Sequence, residues 1–465
     1  GLSSPVQVVE KNAKAHIEEL DLNGSADPIF SIKQRFSAEK HKIDISEAPL
    51  FHLAWYYDKI NNRWLVAHIL HHLIGDHSTL EIMNEEVLKI LQGDMRYNKN
   101  NPQYKTLISH INKNYTEEKT QSFFKNYLQE ISSPTYLFDF NEGYEQTEEN
   151  KVYSVILSGE INNKLRTTSK KYKFSLAILF HLSWSIVVSK LSGKNYALFG
   201  TVLLGRMSIP QNVEKTMGLF INTLPIYCFL DNYNIEEACK EIYKSLVNLI
   251  EYEHASLSSV HKISNIPSNL PIFNTILNYR HNIIEKNDSE NSAYIKSKIK
   301  ELFSNEQTNY PFCLCVDDDQ NTLKITLHTI NKFNAEKICF YMQNALTGVV
   351  NALEANVKTP VLEIDILSEA ERHLLLETWN ETTEDVPSTT LPALFEAQAA
   401  LTPDATAVVY GTETLTYSQL NTRANQIAHY LISAGVSVED TVGLCLKSSL
   451  DLIAGFIGIL KVGAI

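Results

Sequence analysis

"RWLVAHILHHLIGDHSTL", residues 63–80, changes its hydrophobic period partway along. From Arg63 to Leu73 the apolar residues fall on both faces of an extended chain, which predicts a central, buried β-strand. Gly75 breaks the run. Ser78 and Glu81 then make an S-x-x-E capping box, and Leu80, Met83, Val87 and Leu88 follow at helical spacing. The stretch therefore predicts a strand end, a tight loop and a helix N-terminus. Such a junction sets free backbone N–H groups and a positive helix end beside side chains held by a rigid strand. Within it lie His71, His72, Asp76 and His77.

Three readings of these residues are open. A metal site is disfavoured by geometry, because neighbouring strand residues point to opposite faces. His71 and His72 then cannot share one ion, whereas His72, Asp76 and His77 could. Zinc needs three or four converging ligands, and no metal is assigned. A strand-end histidine and a loop aspartate can instead be a satisfied buried polar pair. In the third reading one imidazole takes or steers a proton while the aspartate fixes the loop or the ring tautomer. No G-x-S-x-G elbow accompanies the motif, and no cysteine lies near it in sequence. This favours direct transfer from an already activated acyl group over a covalent acyl-enzyme.

At 465 residues the chain predicts two or three domains. Its formal net charge of −13 argues against a nucleic-acid partner, since binding phosphates needs a basic face. No Walker-type loop is present. Six cysteines without a CxxC pair read as reduced core thiols of a cytosolic protein. Cys313 and Cys315 flank Leu314 in a predicted strand, which puts both thiols on one face. The N-terminus lacks the apolar core of a signal peptide. Phe174 to Val188 is short for a bilayer and reads as a buried helix, so no membrane role is expected.

Composition shifts near residue 366: the last 100 residues hold twelve acidic and four basic residues, a net −8 of the total −13. The polar stretch Asn380 to Thr390 marks a linker. A weaker, acidic break runs from Asp139 to Lys151. Apolar β-branched runs alternate with helical patterns, which indicates an α/β class. The chain opens without a methionine and stops just after the apolar run Leu452 to Leu460. It reads as a piece of a longer polypeptide whose apolar end has no core to enter.

The ordered motifs carry a resemblance. "HILHHLIGDHSTL" (68–80) resembles the HHxxxDG motif of the condensation domains of nonribosomal peptide synthetases. "MGLFINTLP" (217–225) is similar to that family's G-x-F-V-N-T motif, and "GTVLLGRM" (200–207) to the strand and loop before it. "YEHASLSSVHK" (252–262) and "SNLPIF" (268–273) match two later motifs more loosely. "LTYSQL" (415–420) and "LKVGAI" (460–465) resemble the opening of an adenylation domain.

The resemblance implies two chloramphenicol-acetyltransferase-like α/β lobes, 1–140 and 150–366, in a V-shaped pseudo-dimer. A linker (367–390) and an incomplete α/β adenylation segment (391–465) follow. It implies amide formation between a donor thioester and the amine of an acceptor aminoacyl thioester, both on 4′-phosphopantetheine arms of donor and acceptor peptidyl carrier domains. The adenylation domain of the same chain would be the adjacent partner, no cofactor would be bound directly, and the location would be cytoplasmic. His72 would be the catalytic histidine and Asp76 the aspartate that holds the loop, while His71 faces away and packs. Gly75, His77, Arg206, Gly218, Phe220, Asn222 and Thr223 would line or close the cleft.

The chain departs from the family in three respects. His77 replaces the usual glycine, which matters if that position needs a positive φ or close backbone approach. The two earliest motifs, with an arginine to pair with Asp76, are missing, and Arg206 is the substitute. The phosphate loop of adenylation domains is absent, so the C-terminal segment is not expected to bind ATP productively. Epimerisation, on a similar HH-x-x-x-D motif, and a non-catalytic docking module are the competing functions; heterocyclisation replaces the histidines.

Overall fold

A computed structural model describes residues 6–37, 40–91, 93, 103–141, 150–207, 216–281, 299–300, 302–303 and 308–465. Residues 1–5 and the centre of the acidic break, 142–149, lie outside the described residues. The chain divides into two compact units, Gly1–Glu369 and Ala370–Ile465.

The first unit holds two sheets. Strands β1 (His16–Glu19), β2 (Phe51–Asp58) and β3 (Arg63–Leu70) form one, with β2 central, parallel to β1 and antiparallel to β3. The prediction that Arg63 to Leu73 is a central buried strand is corrected here. Among the described residues β3 is an edge strand, it stops at Leu70, and Trp64 is 63% exposed. Its second apolar face is an aromatic ladder, with the Trp64 ring 5.3 Å from Trp55 and 4.7 Å from Tyr57. Helices α1 (Pro28–Arg35), α2 (His77–Leu91), α3 (Tyr104–Asn114) and α4 (Glu117–Tyr127) complete this half.

The second sheet has six strands in the order β4 (Asn150–Ile156), β9 (Leu323–Ile330), β8 (Phe312–Asp318), β7 (Thr275–His281), β5 (Tyr196–Leu203) and β6 (Asn222–Phe229). The β5–β7 and β7–β8 pairs are parallel and the others antiparallel, so the sheet is mixed. Helices α5 (Gly159–Tyr172), α6 (Leu176–Ser192), α7 (Ile235–Glu251), α8 (Leu257–Ile263) and α9 (Ala335–Ala355) accompany it. Phe124, Leu128, Ile131 and Leu137 join the same core, so the end of the first half is packed into the second. Cys313 and Cys315 are buried on one face of β8, their Sγ atoms 3.7 Å apart.

The apolar stretch read as a buried helix is α6. Ser175 caps it by accepting the Ile178 N–H, Gly193 closes it in the left-handed conformation, and every residue from Ile178 to Ser189 is buried. Among the described residues no single helix is long and apolar enough to cross a membrane. His181 sits inside this helix between the Ala177 carbonyl, 2.7 Å from Nδ1, and the Thr201 hydroxyl, 2.8 Å from Nε2. Burial pushes its pKa down to about 4, so the unfolded chain takes up this proton first, near the ordinary value of about 6.5. Between those values the unfolded state binds more protons, and stability falls as pH falls. Urea unfolding should therefore show wild type losing on the order of 3 kcal/mol more than His181→Gln between pH 7 and pH 4.5. Equal losses would show that this imidazole does not set the slope.

The second unit is a small α/β assembly: α10 (Glu369–Leu376), α11 (Leu391–Leu401), the hairpin β10 (Thr406–Tyr410) and β11 (Glu413–Thr416), α12 (Tyr417–Ser433) and α13 (Leu450–Val462). The part of the linker between Asn380 and Thr390 is exposed throughout, whereas its beginning is helical. The apolar end does find a core, contrary to the sequence expectation. Ala454, Ile459 and Val462 are buried against α12 and its neighbours, and Gly458 lies so close to Ile427 that an added Cβ would approach it to 2.8 Å. Of the six cysteines only Cys445, in this unit, is exposed.

Candidate active site

The turn 71–75 leads from β3 to α2 and carries both leading histidines. The strand has ended before them, so strand alternation does not set their directions. Nδ1 of His71 accepts the Leu73 N–H at 3.1 Å, and Nδ1 of His72 lies 3.2 Å from the Gly75 carbonyl oxygen. Both rings are half-buried.

The helix cap lies two residues earlier than predicted. Asp76, not Ser78, is the residue before α2, and its Oδ1 accepts the Thr79 N–H at 3.1 Å. Thr79 answers through Oγ1, which accepts the Asp76 N–H at 3.3 Å. Gly75 packs against this pair: a Cβ there would lie 2.9 Å from the Thr79 methyl. His77 is the first residue of α2, has no positive φ, and stands half-exposed with Nε2 3.6 Å from Glu81. A helical first position accepts any side chain, so the backbone constraint expected for the replaced glycine does not apply.

Asp76 is buried at 2% exposure and reaches across to residues far along the chain. Its Oδ2 accepts the Phe220 N–H at 3.2 Å, and its Oδ1 lies 3.4 Å from Nη2 of Arg206. Arg206 also donates to the Thr216 carbonyl at 3.1 Å and lies over the Phe220 ring, 3.6 Å from its centroid. Burial lowers the pKa of this guanidinium, and the Asp76 carboxylate opposes that shift. Thr79 Oγ1 accepts the Gly218 N–H at 3.1 Å, and its own proton faces the Gly218 carbonyl at 3.0 Å and Asp76 Oδ1 at 3.2 Å. Tyr104 donates to the Leu219 carbonyl at 2.6 Å.

The glycines fit this junction closely. Gly218, at φ +152, leaves no room for a Cβ beside the Tyr104 ring, and Gly205, at φ +66, would place one 1.8 Å from the Phe220 carbonyl oxygen. The segment 216–221 is thereby clamped between the 205–206 loop and the start of α2.

The predicted site residues therefore divide. Gly75, Asp76, Arg206, Gly218 and Phe220 come together, and His72 is tied to them through Gly75. Asn222 turns elsewhere, donating to the Glu253 and Ala255 carbonyls at 2.9 and 2.7 Å, and Thr223 continues into β6. Among the described residues, His72, Asp76 and His77 do not bring their ligand atoms within 4.8 Å of one another. Sequence reasoning missed Thr79 and Tyr104. The spacing Asp76-x-x-Thr79 was a second, unused capping signal; nothing local marks Tyr104.

The first unit has two concavities, one of which shares Tyr104 and Phe220 with the site. One of about 230 Å³ is lined by Tyr104, Leu107, Ile108, Phe220, Asn222 and His254. Another of about 450 Å³ gathers Leu257 and His261 from one loosely matched motif and Phe273 from the other, with Tyr136, Phe140 and Tyr310.

Comparison with known proteins agrees with this architecture. The condensation-domain family matches residues 2–376 and the AMP-binding enzyme family residues 395–465. Malpinin synthetase of Mortierella alpina is 39% identical over 99% of the chain, and bacitracin synthase 1 of Bacillus licheniformis 27% over 99%. The chain spans 6% and 9% of those two proteins. Among solved structures, a four-domain nonribosomal peptide synthetase bound to AMP and glycine superposes with a TM-score of 0.68 at 18% identity, covering 97% of this chain and 35% of that one. The starter condensation domain of rhizomide synthetase, a mutant in complex with C8-CoA, gives 0.59 at 14% identity, covering 76% and 81%.

Proposed function

The chain belongs to the condensation-domain family of nonribosomal peptide synthetases, and on that premise we propose that residues 1–366 join a donor acyl or peptidyl thioester to the amine of an acceptor aminoacyl thioester. Both substrates ride on phosphopantetheine arms of carrier domains. The acceptor nitrogen attacks the thioester carbonyl, a C–N bond replaces the C–S bond, and the amine proton passes to the departing thiolate. Residues 1–140 and 150–366 act as the two lobes, and residues 391–465 open an adenylation domain.

One observation carries the reading: the His72–Gly75 hydrogen bond next to the buried Asp76 junction. A carbonyl only accepts, so the bond puts the proton on Nδ1 and leaves the lone pair of the neutral ring on Nε2. Nε2 is then the atom that takes or steers the amine proton. Asp76 acts at one remove. Its ties to Phe220, Arg206 and Thr79 hold the turn whose carbonyl orients His72. Because a thioester is already reactive, such positioning supplies much of the acceleration.

The test supplies the 465-residue chain with donor and acceptor carriers, each loaded, and follows amide formation in a single turnover. Product confirms condensation. Carrier binding without product favours a docking module, and loss of α-deuterium from one carrier without acceptor favours epimerisation. His77 stands half-exposed at the head of α2 and narrows the acceptor side. His77→Gly is therefore expected to raise turnover of bulky acceptors relative to glycyl acceptors; an unchanged ratio would remove His77 from substrate selection.

A further inference from the structure

We propose that His16, Glu18 and His52 form a binding site for one divalent metal ion of the zinc type, separate from the His72 motif. Ligand atoms of all three lie within 4.8 Å of one another. Strand register produces this convergence. His16 and Glu18 are two apart on β1 and share a face, and His52 is paired directly with His16 across the parallel β1–β2 ladder. The three residues therefore meet although 34 positions of sequence separate Glu18 from His52.

His52 provides the second observation. It is 8% exposed, and its Nε2 makes no hydrogen bond. The nearest carboxylate atom, Glu18 Oε2, stands 3.5 Å away. The other ring nitrogen, Nδ1, is 3.1 Å from Nε2 of His41. When Nδ1 donates there, Nε2 presents its lone pair to a carboxylate oxygen: a buried ring nitrogen and a part-exposed carboxylate, both electron-rich, face each other. A cation between them turns that opposition into two bonds. The other tautomer aims an N–H at Glu18 without reaching hydrogen-bond distance. A ligating histidine whose second nitrogen is held by a hydrogen bond, and a carboxylate fixed through its other oxygen, are usual supports of a metal site. Glu18 has that support, since Oε1 is engaged by Arg35.

The donor set is two imidazoles and one carboxylate, which suits zinc with a fourth, open position. His16 is exposed, so that position faces solvent. β1 is four residues long and pairs with β2 alone among the described residues. An ion here pins it to the central strand, and binding stabilises the folded state by mass action.

The test is equilibrium dialysis of the chelator-treated 465-residue chain against Zn²⁺ alone, with Co²⁺ absorption reporting tetrahedral coordination. One ion per chain is expected, with a rise in Tm. His16→Asn and Glu18→Gln change solvent-accessible side chains and leave the fold intact; each should weaken binding by about ten-fold or more. His77→Asn, outside the proposed ligand set, should leave Zn²⁺ binding unchanged. Absence of stoichiometric binding by the folded chain, binding indifferent to His16→Asn and Glu18→Gln, or binding lost in His77→Asn would each overturn the proposal.

Discussion

Replacing His72 with alanine is expected to slow amide formation by about 10²–10⁴-fold, the range for removal of a positioned proton-transfer group. The fold should survive, because the ring is half-buried and its Nδ1 bonds to a carbonyl in its own turn. Carrier affinity should be unchanged, since the loss lies in the transition state and not in binding; the defect then appears in kcat at saturating carrier. His71→Ala serves as the matched control. Its Nδ1 accepts a neighbouring N–H, so that variant loosens the turn without removing the proposed proton carrier and should lose far less. Single-turnover product formation with loaded carriers measures both. Equal rates for His72→Ala and wild type would make His72 a structural residue and overturn its assignment.

How far the sequence reaches differs between elements. The α6 helix was legible because its apolar run has no charge from Leu176 to Ser189, and Ser175 and Gly193 bound it chemically. The same kind of evidence misled at β3. Apolar residues on both faces look like double burial, but here an aromatic ladder shares one face with solvent. What covers a strand depends on residues that a local window does not contain. The helix cap shows the point at finer scale. Asp76/Thr79 and Ser78/Glu81 both satisfy the spacing rule, and Asp76/Thr79 prevails because Gly218 and Phe220, some 140 residues away, bond to that pair. Asp76 and Arg206 could be named from the motifs, whereas their closeness needs the tertiary fold. The His16, Glu18 and His52 group was invisible for the same reason, since parallel register is not written in either strand alone.

Asp76→Ala is expected to cost about 3–5 kcal/mol, the loss that follows when one partner of a buried ion pair is removed. Few side chains here have as much to lose. The carboxylate is 2% exposed and satisfies the Thr79 N–H, the Phe220 N–H and the Arg206 guanidinium, itself only 12% exposed. After truncation the guanidinium keeps its charge and loses the anion beside it. That cost is electrostatic, and it predicts a rescue: Arg206→Met placed on Asp76→Ala should regain part of the stability, because the buried guanidinium that lost this carboxylate is gone. Recovery should stay incomplete, since the Phe220 and Thr79 amides still lack their acceptor. Urea unfolding followed by intrinsic tryptophan fluorescence would measure the cycle. A single-variant loss below about 1 kcal/mol would place Asp76 among ordinary surface ion pairs. An additive double variant would mean that Arg206 and Asp76 do not depend on each other. Activity adds a separate reading. If Asp76 holds the turn for His72, the double variant should recover stability without recovering turnover, because methionine cannot restore the hydrogen bonds that fix residues 75–79.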